Sequence, residues 1–213
     1  ASLRAPRVAA PRLRALNYSD CFELSDAAVE AACAHCPELL KLQLAGCNAL
    51  RAPRALGGER LQTLDLSDVR TLDDAALSAA AARCPRLSRL DCSGCGALHS
   101  PAIGGAQLRA LLLSRCDELS DEAVSRACLR SPGLTSLVLS LCPALHLPRC
   151  YSPELLEANL SGCSSLCDEA VELLCFNSPR LLRVGLSLCT SLSAPCVRGV
   201  SLEKVDLARC DHL

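Results

Sequence analysis

The stretch LRALLLSRCDELSDEAVSRACLRSP, Leu108 to Pro132, decides how the rest of the chain is read. It parses as one strand, one tight turn and one short helix ending at a proline. Its opening frame, Leu-x-x-Leu-x-Leu-x-x-Cys, returns nine times, beginning at Leu13, Leu39, Leu61, Leu87, Leu108, Leu134, Leu155, Leu181 and Leu202. The intervals between those leucines are 26, 22, 26, 21, 26, 21, 26 and 21 residues. The true unit is therefore a pair, one long repeat and one short.

A period of this size marks a leucine-rich solenoid, in which each repeat stacks on its neighbours. The long units end alike: SDAAVEAACAHCP (25–37), DDAALSAAAARCP (73–85), SDEAVSRACLRSP (120–132) and CDEAVELLCFNSP (167–179). Each gives a capping slot, an acid, apolar residues at helical spacing, then proline. Ser25, Asp73 and Ser120 suit the N-cap, and Asp26, Asp74, Asp121 and Asp168 suit the first turn. Cys167 is a poorer cap. Pro37, Pro85, Pro132 and Pro179 stop each helix.

Short units leave no room for a helix. A proline follows three residues after Leu3, Leu50, Leu98, Leu145 and Leu192, and an apolar residue (Val8, Ile103, Cys150, Val197, with Leu56 displaced) plugs into the core. Parallel strands stack about 4.8 Å apart, whereas packed helix axes need about 8–10 Å. A helix in every second layer, about 9.6 Å apart, removes that mismatch. The expectation is an α/β solenoid of the right-handed, ribonuclease-inhibitor-like kind, flatter than a tight horseshoe, with nine strands covering roughly 40 Å. Residues 1–213 read as a single leucine-rich-repeat domain cut within repeats at both ends, a section of a larger array.

Half of the 213 residues are apolar, 21% are charged and the net charge is −1, which suits one soluble domain with a full core. Aromatics make up only 2% and there is no Met or Trp, so Leu, Val, Ala and Cys must build the core. Near-neutral charge argues against a nucleic-acid or membrane surface, and no apolar run approaches the roughly 20 residues of a membrane span. Arg4, Arg7, Arg12 and Arg14 resemble a targeting presequence, but Leu3-x-x-Pro6 before Leu13 fits half a short repeat better.

Seventeen cysteines would mean disulfides in a small secreted domain. Here the frame accounts for most of them. Cys21, Cys47, Cys95, Cys116, Cys142, Cys163, Cys189 and Cys210 close eight frames, with Val69 in the ninth, and read as a buried structural ladder of reduced thiols. Cys33, Cys128 and Cys175 read as the buried face of helices. Reduced thiols imply cytoplasm or nucleus. Replacing Cys116 by Ser is expected to cost about 1–3 kcal/mol, on the view that a hydroxyl needs a partner the thiol does not.

No catalytic constellation emerges, and no cofactor or metal is implied; the chain reads as a non-enzyme. His99 and His146 hold the same slot in successive short units, about 9.6 Å apart, too far to share a metal. Cys33-Ala-His-Cys36 and Cys92-Ser-Gly-Cys95 match C-x-x-C, yet they fall in frame slots and no second pair aligns with them to make four zinc ligands. The Gly57-Gly58 and Gly104-Gly105 pairs lack a strand-to-helix phosphate context.

Function then rests on surfaces. Side chains alternate along a strand, so the third, fifth and seventh frame positions face outward on the concave side. Leu112 and Val138 are apolar there, in adjacent layers, with Leu141 and Leu188 near the strand ends. Arg89, Asp91, Glu157 and Arg183 lie around them. An apolar centre with a charged rim resembles a protein interface.

Leu-x-x-Leu-x-Leu-x-x-Cys-x-x-Leu-x-Asp, followed by a helix ending in Cys/Ser-Pro, resembles the cysteine-containing leucine-rich repeat of F-box proteins and of AMN-type mitotic-exit antagonists. The Leu-x-x-Pro short units resemble the F-box/LRR protein 15 group in particular. That resemblance implies the substrate-recognition arm of a Skp–cullin–F-box ubiquitin ligase, binding a protein substrate on the concave face. It also implies a Skp-type adaptor and cullin reached through an F-box, a segment not found in these residues. The alternative is a non-ligase scaffold or inhibitor of the ribonuclease-inhibitor type. A metal or thiol enzyme would instead require bound zinc or a low-pKa thiol.

Overall fold

The computed structural model describes residues 8–51 and 55–213, so the short-unit residues Leu3, Pro6 and Pro53 and the arginines Arg4 and Arg7 lie outside it. Elements follow one another as β1 (Ala15–Asn17), α1 (Asp26–His35), β2 (Lys41–Gln43), β3 (Thr63–Asp65), α2 (Asp74–Ala82), β4 (Arg89–Asp91), β5 (Ala110–Leu112), α3 (Asp121–Arg130), β6 (Ser136–Val138), β7 (Glu157–Asn159), α4 (Asp168–Asn177), β8 (Arg183–Gly185) and β9 (Lys204–Asp206). The strands form one open parallel sheet in chain order. Identical frame positions pair across it, as in Leu64 with Leu90 and Leu111 with Leu137. A one-residue slip would turn the leucines outward, so the apolar frame itself fixes the register.

Each strand is only three residues long, yet pairing continues past it. The amides of Leu113 and Arg115 donate to the carbonyls of Val138 and Ser140 in the next layer, each at 2.8 Å. The eighth frame residue then turns left-handed in all nine repeats. Gly46, Gly94 and Gly162 hold it at φ 70–77°, and Asp20, Asp68, Arg115, Leu141, Leu188 and Arg209 at φ 56–61°. Aspartate tolerates that conformation; a leucine there carries roughly 1–2 kcal/mol of strain.

Seven ladder thiols are buried, and each donates to a backbone carbonyl of the preceding layer. Cys47 reaches Tyr18 at 3.0 Å, Cys95 reaches Leu66 at 3.1 Å, Cys116 reaches Cys92 at 3.3 Å and Cys142 reaches Leu113 at 3.0 Å. Cys163, Cys189 and Cys210 repeat this on Leu139, Leu160 and Leu186. The bond corrects the expectation for Cys116→Ser, because the acceptor a hydroxyl needs is already present. Two thiols are less buried than expected. Cys21 is half-buried, having no strand before it among the described residues, and Cys33 is half-buried at the end of α1.

Ser25, Asp73 and Ser120 cap their helices by accepting from Ala28, Ala76 and Ala123 N–H, while Cys167 makes no such bond. The aspartates that follow do more than favour the first turn. Asp26 accepts from Arg51 N–H of the next short unit, and Asp74 from His99 and Ser100. Asp121 holds His146 and Leu147, and Asp168 holds Ser193 and Ala194. Each long repeat thus clamps the helix-free segment that follows it. Leu56, Ile103 and Cys150 are the buried plugs of those segments, and Val8 and Val197 are partly buried against the core. No helix of the described residues is long and apolar enough to cross a membrane.

Candidate protein-binding face

The outward face of the sheet is built by the third, fifth and seventh frame residues. At the fifth position the common occupant is Asp or Asn, and it has a local duty. Asn17, Asp65, Asp91, Asn159 and Asp206 each accept, through Oδ1, from the N–H two residues on, at 2.8–3.1 Å. This turn holds the strand exit. Leu112 and Val138 occupy the same slot in β5 and β6 and forgo the bond. They are direct partners in register and are half-buried.

Two more apolar side chains extend the patch. Leu141 and Leu188, both left-handed, remain 49% and 43% exposed. Leu141 lies over Gly162 of the next layer, where an added Cβ would fall 2.4 Å from its Cδ2. A hollow of about 310 Å³ opens beside Val138, between β6 and β9. It exists because Gly185, in an outward slot, has no side chain.

The charged residues are less free than their spacing suggests. Glu157 and Arg183 are register partners in β7 and β8 and pair with each other. Arg89 sits 3.7 Å from Asp91 on its own strand. Asp91 also holds Ser93 N–H, which makes it a strand-exit residue as much as a contact. Arg115, at the turn after β5, pairs with Asp68. The Arg115–Asp68 pair and the shared turn slot do not show in the leucine frame; the signal for the slot is its three glycines, Gly46, Gly94 and Gly162.

A hydrogen bond from Cys150 lowers the Cys128 thiol against its burial. Burial raises the ladder thiols, Cys47, Cys142 and Cys189 to about 11 and Cys163 to about 12, so they stay protonated donors at neutral pH. Cys92 is raised too, by its hydrogen bond with Cys95 and then by burial. His99 and His146 each donate from Nδ1 to a carbonyl at 2.8 Å, of Glu118 and Ser165. Among the described residues no three His, Cys, Asp or Glu converge where a metal could sit.

No family model matches the chain, and no curated protein does. Among solved structures, a chain in the crystal structure of the yeast Rad7 and Elc1 complex is similar over 95% of this chain and 71% of its own length. The identity is 18% and the TM-score 0.50. That likeness concerns the fold. With the nine-stranded parallel sheet and the repeated leucine frame, it places the chain in the class of leucine-rich α/β repeat solenoids.

Proposed function

We propose that this chain is a protein-binding repeat module whose open sheet face recognises a partner protein, delivering it to a Skp–cullin–F-box type ubiquitin ligase. The observation that carries the binding part is the Leu112–Val138 pair. Two adjacent layers give up the Asx turn that five other layers keep, and present aliphatic side chains instead. Strained, exposed Leu141 in the β6 layer, and Leu188 two layers on, support the same reading, since strain of that kind collects at functional surfaces. The ligase part draws on the repeat's likeness to F-box proteins, and the yeast Rad7 and Elc1 complex is consistent with protein partners for the fold. The solenoid is flat because helices in alternate layers match twice the strand spacing, and right-handed because crossovers between parallel strands of one sheet take that hand.

The test is affinity capture with the protein in its natural full-length form, wild type beside the double variant Leu112→Asp/Val138→Asp. Both baits are expected to recover a Skp-type adaptor and a cullin, and only the wild type a further partner. Equal recovery of that partner by the variant overturns the sheet-face assignment. Partners without any cullin machinery overturn the ligase reading and leave a scaffold.

A further inference from the structure

The helical side of the molecule changes character half-way along. Five residues before the leucine that opens the layer after each helix stand Ala34, Ala82, Leu129 and Phe176. Four residues before the leucine that follows each intervening short segment stand Gly57, Gly104, Tyr151 and Arg198. Layer by layer, the C-terminal edge of the helices therefore reads Ala34, Gly57, Ala82, Gly104, Leu129, Tyr151, Phe176, Arg198. The short segments pack on the helix ends: a Cβ on Gly57 would lie 2.6 Å from Cys84 Sγ, and one on Gly104 2.7 Å from Arg130 Cβ.

In the first half, Ala34, Gly57 and Ala82 border a hollow of about 630 Å³. In the second half the same slots hold Leu129, Tyr151 and Phe176, which are 63%, 53% and 84% exposed. Packing does not require Leu129 and Phe176, since alanine serves the same helix slots in α1 and α2; at Tyr151 the backbone itself differs, because Gly57 and Gly104 stand at φ 113° and 121° with no room for a Cβ. The chain has four aromatic residues, and two of them stand here, in adjacent layers, facing solvent. Exposed aromatic and arginine clusters are what binding hot spots are made of.

Charge gives the partner its sign. Arg130, Arg149 and Arg198 flank the row, are exposed, and have no carboxylate partner among the described residues. The carboxylates nearby are Glu172, one helical turn before Phe176 on α4, and Glu154, three residues past Tyr151, which is already paired with Arg180. Layers spaced about 4.8 Å apart nearly match the roughly 5.4 Å turn of a helix, so a helix with apolar residues at i, i+4 and i+7 can lie along the row.

We propose that this edge is a second docking site, separate from the sheet face, that takes an acidic amphipathic helical segment of a partner protein. Apolar side chains of that segment lie on Leu129, Tyr151 and Phe176, and its carboxylates meet Arg130, Arg149 and Arg198.

The test titrates the full chain into a labelled synthetic helix of roughly 18 residues, long enough to be helical in water, with Leu and Phe on one face and Glu on the other. The control peptide carries Lys for every Glu. Saturable binding of the acidic peptide is expected, weakened at least about tenfold by Tyr151→Ser/Phe176→Ser and by Arg130→Glu/Arg149→Glu/Arg198→Glu. Leu112→Asp/Val138→Asp should leave it unchanged, which keeps this site's failure apart from that of the sheet face. No binding, or equal binding of the Lys peptide, overturns the proposal. So does capture of phosphatidylserine vesicles through the same residues in preference to the peptide, or a dimer in sedimentation that Tyr151→Ser dissolves.

Discussion

The Arg115 guanidinium reaches across Gly94 to the Asp68 carboxylate, its Nη2 lying 3.1 and 3.2 Å from the two oxygens. The pair spans three layers over a residue without a side chain. A Cβ at Gly94 would fall 2.2 Å from Asp68 Oδ1, and Gly94 is itself left-handed at φ 76°. Gly94→Ala is expected to cost about 1–3 kcal/mol, and Asp68→Ala under about 1 kcal/mol, because both partners of the ion pair are largely exposed. The double variant should recover the steric part and retain the backbone part. Urea denaturation of the four proteins measures this; simple additivity would show that Asp68 does not overhang Gly94.

The thiol ladder predicts an order rather than one number. Cys163 donates to Leu139 O from a fully buried position. Cys163→Ser keeps a donor at that carbonyl and should cost less than Cys163→Ala, which strands the carbonyl and leaves a small cavity for about 1–3 kcal/mol. Thermal melts of the two variants decide it, and an alanine variant as stable as the serine one contradicts the bond's role.

Asp168 links stability to pH. Burial acts to raise its carboxyl, but hydrogen bonds from Ala194 N–H and from the hydroxyl and N–H of Ser193 outweigh it and hold the group below the usual carboxylate range. A depressed folded-state pKa contributes stability above the unfolded value, about 3.9, that is lost as pH falls through the folded value. The melting temperature should therefore drop below about pH 4, and Asp168→Asn should drop less between pH 5 and pH 3. Parallel acid titrations of the two proteins would oppose this.

Leu141 opposes stability to binding. It is left-handed, half exposed and laid over Gly162. Leu141→Asn relieves backbone strain and should leave the denaturation midpoint unchanged or raised by up to about 1 kcal/mol, while weakening the partner captured on the sheet face. A clear loss of stability would mean the leucine is there to pack.

The frame made most of the architecture legible. Because every slot recurs, Leu64, Leu90 and Leu111 could be assigned inward, and Ser25, Asp73 and Ser120 to helix starts, without coordinates. What stayed hidden were bonds between layers. Asp74 and Asp121 look like first-turn acids, yet their acceptors serve His99 and His146, 25 residues away. Asp91 reads as a surface charge, yet it closes its own strand exit. Turn slot eight holds Asp, Gly, Arg and Leu, and that mixed chemistry masks one shared backbone conformation. On the candidate face, Leu112 and Val138 were visible as apolar outliers. The Glu157–Arg183 pairing was not, because side-chain direction is settled by register across 26 residues.

The central claim is that the outward face of β5 and β6 contacts a partner. Carbene footprinting of the chain with and without its captured partner reads that directly, side chain by side chain. Labelling of Leu112, Val138 and Leu141 is expected to be suppressed in the complex, while Phe22, far along the chain, is labelled equally in both. Unchanged labelling at Leu112 and Val138, with protection elsewhere, would contradict it.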